Sequence, residues 1–369
     1  MADHIVSVDA GNGGVNAVLA KPNGGYKNFY EPSVRAATSG GDLDISDPRL
    51  VGYSKNTIYV DWNGHRFVTG DEVLNGNRRK TIEHHMGANR YGNEFHQFLV
   101  AVSLAKMGIK EGNVDLTVFA PPGLFNDLKP HIKKRFTEGG GQVTIQLSGD
   151  KKPRQWHYEN VTVLPEGIGA AACFALDDSG EMVHAPALDD KVVLLDLGAH
   201  TLDALQFING NFDPSLLEHA TWEAGGVHIH IREPILRAIK KHGDDFANLT
   251  VDDVDRVIRN GSVSGDYTLQ VAGYEIDLKA TLDKYRERYA EWIANNIGDG
   301  VFDGFRGVKS VILVGGGAVL VEDHLKKWYG DKLLDRKKYD TTKKLHPVDM
   351  NAVGGLRFAL ARLKQPRPS

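Results

Sequence analysis

Apolar and polar positions fall into short alternating blocks at the start of the chain. Ile5 to Val8 and Ala17 to Ala20 read as strands, and Gly11 to Gly14, with Asn12 among them, supply the positive φ angles of a tight hairpin. Short β-like pieces surround Asn63-Gly64 within Tyr53 to Val73. Helical spacing over Glu94 to Lys106 predicts a helix, and the run Leu116 to Ala120, stopped by Pro121-Pro122, predicts a buried strand. Gly139 to Gly141 and Ser148 to Arg154 predict turns, and Glu166 to Leu176 an alanine-rich helix behind Pro165. Periodicity is lost over Asp177 to Asp190, where the chain is expected to cross from one half to the other. Beyond it a buried strand at Val192 to Asp196 opens a second hairpin. Helices near Gly226 to Lys241 and Leu278 to Ile297, a strand at Val311 to Val314 and a closing helix around Val353 to Leu363 complete the pattern.

The two hairpins superpose without a gap. IVSVDAGNGGVNAVLA (Ile5 to Ala20) and VVLLDLGAHTLDALQF (Val192 to Phe207) each run apolar strand, Asp-x-Gly, polar turn, apolar strand. Such self-similarity at half the chain length predicts two related domains facing each other. An aspartate ending a buried strand can point into a cleft, while a glycine turn aims N–H groups at phosphate oxygens. Asp9 and Asp196 would then flank one phosphate chain. Two carboxylates beside a triphosphate require a hard cation, and magnesium binds through one or two carboxylates, waters and phosphates, so Mg-ATP is the natural occupant. A plain hairpin turn explains either copy alone equally well; the pair favours the phosphate reading. A third element agrees: in VILVGGGAVL a buried strand ends in Gly315, Gly316 and Gly317, which permit close ligand approach.

Length and composition bound the rest. With 369 residues, 41% of them hydrophobic, at least two domains are expected. A net charge of −4 gives no global basic field, so direct nucleic-acid binding is not expected. The single cysteine, Cys173, among alanines, reads as a small buried thiol in a reducing, cytoplasmic setting. Asp3 and the early glycine turn do not suit a signal peptide, and no segment approaches the roughly 20 apolar residues of a membrane span.

Together these pieces resemble the superfamily of actin, sugar kinases and heat-shock chaperone ATPases, which carries five motifs in fixed order. Asp9 to Val15 looks like the first phosphate motif, Leu164 to Cys173 the first connecting helix, Asp196 to Asp203 the second phosphate motif, Leu313 to Ala318 the adenosine motif and Asn351 to Leu356 the second connecting helix. Length and the strand-rich insert are similar to plasmid-segregating bacterial actins of the ParM type and their archaeal relatives. The phrase DLGAHTLDALQF departs from that pattern at Ala199, where a second glycine is expected. The resemblance implies a two-lobed α/β fold of duplicated ribonuclease-H-like domains with nucleotide in the cleft between them. One lobe would comprise 1–180 plus the closing segment 346–369, with an insert at about 34–90; the other would comprise 190–345, with an insert at about 240–290.

Residue by residue, the resemblance implies that Glu166 orients the attacking water, Asp9 holds magnesium through water, and Asp196 assists metal or water positioning. This suits γ-phosphate hydrolysis, which needs a placed water and charge neutralisation. For Glu166 the competing role is a first-turn carboxylate favouring the helix dipole. Gly11, Asn12 and Gly13 would cradle one side of the phosphates and Gly198, Ala199 and His200 the other. Gly225-Gly226 resembles the nucleotide-contacting helix start, and Gly315 to Gly317 the adenosine site. ATP is the expected nucleotide, with GTP the alternative, alongside Mg2+.

His228 and His230 lack a third ligand at metal spacing, adjacent His84 and His85 do not share a helix face, and the basic stretch Lys326 to Lys344 reads first as a solvated face and second as a DNA or adaptor contact. If the resemblance holds, the expected function is a cytoplasmic ATPase that assembles with itself into filaments for plasmid or DNA segregation, with a DNA-binding adaptor as a second partner and no membrane. The compact five-motif chain without a substrate-binding domain favours this. The alternative is a non-polymerising hinge ATPase: a small kinase, a chaperone-like protein or an enzyme activator.

Overall fold

The computed structural model describes residues 2–38, 57–75, 82–85, 87–183, 186–271, 273–336 and 345–365. Among the described residues two large sheets dominate, beside a two-stranded ribbon of Thr268–Val271 with Tyr274–Asp277. The first runs in the order Tyr26–Pro32, Gly14–Ala20, His4–Ala10, Glu111–Ala120, Arg154–Pro165 and Gln142–Leu147, then continues into four short strands contributed by residues 35–83. His4–Ala10, Glu111–Ala120 and Arg154–Pro165 are mutually parallel, and the flanking pairs are antiparallel. The second sheet places Asn211–Asp213, Leu202–Ile208, Lys191–Leu197 and Ser310–Val314 side by side, the last pair parallel. Each sheet thus opens on a hairpin and adds a parallel strand to its first member.

The expected elements form. The first hairpin is longer than its apolar runs, pairing Asp9 with Asn16, and the second pairs Asp196 with Asp203. The helix Glu94–Lys106 starts on Asn93, whose side chain accepts from the His96 N–H, as an N-cap should. Its Phe95, Phe98, Leu99 and Val102 pack with Val6, Val8, Leu116 and Val118 of the first sheet. Burying such side chains contributes about 1.5–3 kcal/mol each. Of the basic stretch predicted over Lys326 to Lys344, residues 337–344 lie outside the described residues, as does much of the insert at 34–90.

Between the sheets lie two helices, Ile168–Ala175 and Met350–Lys364. Their Ala170, Phe174, Val353 and Leu356 share one core with Val192, Leu194, Leu205 and Ile312 of the second sheet, while Gly355 of the second helix lies against Ser7 and Phe119 of the first. The helices cross on glycine: a Cβ at Gly354 would collide with the Gly169 carbonyl, and one at Gly169 with the Asn351 carbonyl. Arg357, 1% exposed, donates to the Cys173 and Leu176 carbonyls at 2.7 and 2.9 Å and pairs with Asp178 at 2.6 Å. It thereby satisfies carbonyls left open at the end of the shorter helix. Cys173 is buried and its thiol faces the Met350 carbonyl at 3.2 Å. Among the described residues no helix is long and apolar enough to cross a membrane.

Candidate functional site

One cleft of about 530 Å³ separates the two sheets, within the size range of small-molecule sites. Asp9, Glu166 and Asp196 all line it, as do Gly11, Asn12 and Gly13 of the first turn and Gly198 and Ala199 of the second. Gly315, Gly316 and Gly317 form a third wall. The two turns meet directly, since a Cβ on Gly13 would stand 2.8 Å from that of Ala199. Glycine at position 13 therefore makes room for the methyl group that replaces the expected second glycine.

Each carboxylate is held by a specific partner. Tyr91 donates to Glu166 Oε1 at 2.9 Å. Asn351, at the start of the closing helix, donates through Nδ2 to Asp196 Oδ2 at 2.7 Å while its Oδ1 accepts the Gly167 N–H at 2.8 Å. One side chain thus joins the second hairpin to the first connecting helix. Asp203, opposite Asp196 across the hairpin, accepts from Thr201 at 3.0 Å and from Thr221 at 2.5 Å. Behind the first turn, Arg90 is fully buried and donates to the Ala10 carbonyl at 2.6 Å and Asn12 Oδ1 at 3.3 Å.

The cluster is short of positive charge. Burial, then repulsion from Asp196, pushes Asp9 up to about 7, against the help of Asn351 and Arg90. Burial lifts Asp196 to about 6. Asp203 rises to about 7 through burial and the neighbouring Asp196, opposed by its threonine bonds. Burial, followed by Asp9, Asp203 and Asp196, holds Glu166 well above the usual carboxylate range. Buried like charges disfavour joint ionisation, and a divalent cation reverses that balance.

This donor set fits magnesium. Among the described residues no three His, Cys, Asp or Glu side chains are grouped to cage a metal, whereas magnesium takes one or two carboxylates and completes its shell with water and phosphate. Asp9 and Asp196 have that chemistry.

Four expected contacts differ. Gly198 lines the cleft, but its N–H donates to the Thr201 carbonyl at 2.9 Å within its own turn, so it is not presented to a phosphate. Glu166 does not begin a helix: its N–H donates to the Ala120 carbonyl at 2.8 Å, Gly167 turns away at φ 87°, and the helix starts at Ile168. It is therefore not a carboxylate of the first helical turn. Gly225 and Gly226 are buried behind the second turn, their N–H groups donating to the Trp222 and His200 carbonyls at 2.9 and 3.1 Å, so neither is presented to an anion. His200 is absent from the cleft wall; its ring stacks on His228 at 4.6 Å and burial holds its pKa down at about 4. Its partner His228 pairs with Glu233 at 3.3 Å, and His230 stacks on Tyr289 at 4.8 Å, which accounts for both histidines without a metal.

The sequence did not point to Tyr91, Arg90 or Asn351 as site residues, nor to the helix Val251–Ser264, whose Asp255, Ile258 and Arg259 line the cleft. For the helix a signal was present, because Thr250 and Asp253 form a capping box.

Two sheets of matching construction around a carboxylate-lined cleft define an actin-like, two-domain α/β fold. The family comparisons agree: residues 7–169 match the actin-like proteins N-terminal domain, and residues 194–327 match the archaeal actin homologue MreB-like C-terminal domain. The chain belongs to the actin-like superfamily. No curated protein matches it in sequence. Among solved structures it is similar to a 15-stranded ParM filament from Clostridium botulinum, with TM-score 0.73 and 20% identity over 97% of this chain and 99% of that one. The archaeal actin homologue Ta0583 gives TM-score 0.73 at 19% identity, covering 98% of this chain and 100% of that chain. ParM of Bacillus thuringiensis with ATP gives TM-score 0.65 at 16% identity, covering 98% and 99%. At these identities the likeness is one of fold.

Proposed function

We propose that this protein binds Mg-ATP in the cleft, hydrolyses it and assembles with copies of itself into filaments that its nucleotide state controls. The observation that carries this reading is the convergence of Asp9, Asp196 and Glu166 on one cleft, between two turns that come from separate sheets. N–H groups at Gly11 to Gly13 and at Ala199 hold the phosphates, and Gly315 to Gly317 admit the nucleoside. Magnesium, when bound, neutralises phosphate charge beside Asp9 and Asp196. Glu166, fixed by Tyr91, orients the attacking water and takes up its proton. The lobes of this reading are 1–180 with 346–369, and 190–345.

Self-assembly draws support from the filament described for the Clostridium botulinum relative, and nucleotide binding from the ATP and ADP complexes of other relatives. Plasmid or DNA segregation through an adaptor, in the cytoplasm, is the role that fits such a filament. A nucleotide gripped from both sides shifts the lobes by its differential affinity for their closed and open arrangements, and hydrolysis weakens that grip.

Right-angle light scattering with Mg-ATP should rise with protein concentration, and electron micrographs should show filaments. A flat signal up to tens of micromolar protein, without filaments, would instead make this a non-polymerising hinge ATPase. Glu166→Ala should keep nucleotide affinity and slow phosphate release by about 100-fold or more; an unchanged rate removes Glu166 from its role.

A further inference from the structure

Arg232 closes the π-helical turn His228–Arg232 and lines the cleft from the second sheet's side. Its Nη2 lies 4.0 Å from where a Cβ on Gly13 would stand, at the point where the two glycine turns meet. The side chain is 17% exposed, and its Nε is buried without a hydrogen-bond partner. Asp255 holds the guanidinium at 2.5 Å. That carboxylate is shared: Arg259 reaches it at 3.0 Å and also pairs with Asp71, on the first sheet's side of the cleft, at 3.2 Å. A chain of alternating charges therefore runs from the first phosphate turn across the cleft mouth.

We propose that Arg232 binds the terminal phosphate of a nucleoside triphosphate, exchanging Asp255 for it. The inference rests on the Mg-ATP reading and adds the residue that distinguishes triphosphate from diphosphate. The phosphate that reaches the junction of both turns is the one farthest from the nucleoside, and Arg232 stands at that junction. A planar guanidinium with an unused buried donor suits a tetrahedral oxyanion, and a cleft walled by Asp9, Glu166 and Asp196 needs a cation opposite them. A diphosphate leaves Arg232 on Asp255. When a triphosphate draws Arg232 away, Asp255 is left to Arg259 alone, so the terminal phosphate bears directly on the Arg259–Asp71 bridge between the lobes.

The test is calorimetric titration of the full chain with Mg-ADP and with the non-hydrolysable Mg-AMP-PNP. Arg232→Gln should weaken AMP-PNP by about 10- to 100-fold, the value of a charged hydrogen bond, and ADP by less than about 3-fold. Asp255→Asn, which removes the competing carboxylate, should tighten AMP-PNP relative to ADP. Equal loss of both nucleotides in Arg232→Gln, or no loss, overturns the proposal. If that variant fails to fold, an unchanged nucleotide ratio in Asp255→Asn overturns it. A wild-type chain that binds neither nucleotide sinks the Mg-ATP reading itself, and is distinguishable because it involves no variant.

Discussion

Position 315 shows how narrowly single residues define the cleft. Gly315 adopts φ 81°, and a Cβ there would press on Asp196 Oδ1 and lie 2.7 Å from the Leu197 carbonyl. Gly315→Ala should cost about 1–3 kcal/mol in backbone strain alone and displace the Asp196 carboxylate, lowering nucleotide affinity as measured by calorimetry. Asn351 is a second such point. Asn351→Leu leaves the Gly167 N–H and the Asp196 carboxylate without their partner, and should lower stability by about 1–3 kcal/mol in urea titration. Both glycine and aspartate could be found in the sequence, because Asp-x-Gly and strand-GGG patterns are local. Tyr91 and Arg90 could not, since they reach the site from a turn far along the chain, and no spacing within their own segment records what they touch.

At the level of elements, long strands and helices with regular periods were readable and interrupted ones were not. Arg154–Pro165 was missed because its pairing shifts between Tyr158 and Asn160, so buried positions run Trp156, Tyr158, then Val161, Val163, and the two-residue alternation breaks. The helix Phe125–Thr137 carries Pro130 and buries only Ile132 and Phe136 toward its end, which masks its apolar face. Val251–Ser264 lies within the insert expected at about 240–290, where Gly261, fitted against the Tyr267 ring, interrupts the helical pattern. The crossing of Ile168–Ala175 with Met350–Lys364 was half visible: small residues marked both helices, but only three dimensions show Gly169 against Gly354. Overpacking there is expected to be severe. Gly354→Val should lower the thermal midpoint by several degrees and cost about 1–3 kcal/mol or more, because backbone rather than a movable side chain fills the space.

For the molecule as a whole, a buried imidazole works against four buried carboxylates in the response to acid: Asp9, Asp196, Asp203 and Glu166, whose folded values are raised, take up protons first in the folded state and favour it as pH falls. His96 accepts the Gly92 N–H at 3.1 Å, packs edge-on against Phe136 and is 1% exposed. Burial first, then Arg90, depresses its pKa from 6.5 to about 3. A depressed folded value means that the unfolded chain binds the proton first. This residue's contribution is therefore intact above pH 6.5 and is lost as pH falls toward 3. The slope is about 1.4 kcal/mol per unit within that window. The difference in urea midpoint between His96→Asn, which keeps an acceptor for Gly92, and the wild type should move in the variant's favour from pH 6 to pH 4; an unchanged difference removes His96 from the acid response.

Arg357 carries a consequence for biosynthesis. The carbonyls of Cys173 and Leu176 find their buried donor only 184 and 181 residues later in the chain. At ribosomal speeds of 5–20 residues per second, that is a wait of roughly 10 to 40 s during which the first lobe is made but its innermost helix end stays open. Until Met350–Lys364 is made, water is the partner open to those two carbonyls, and the last turn of the shorter helix gains its buried donor only when that segment folds onto it.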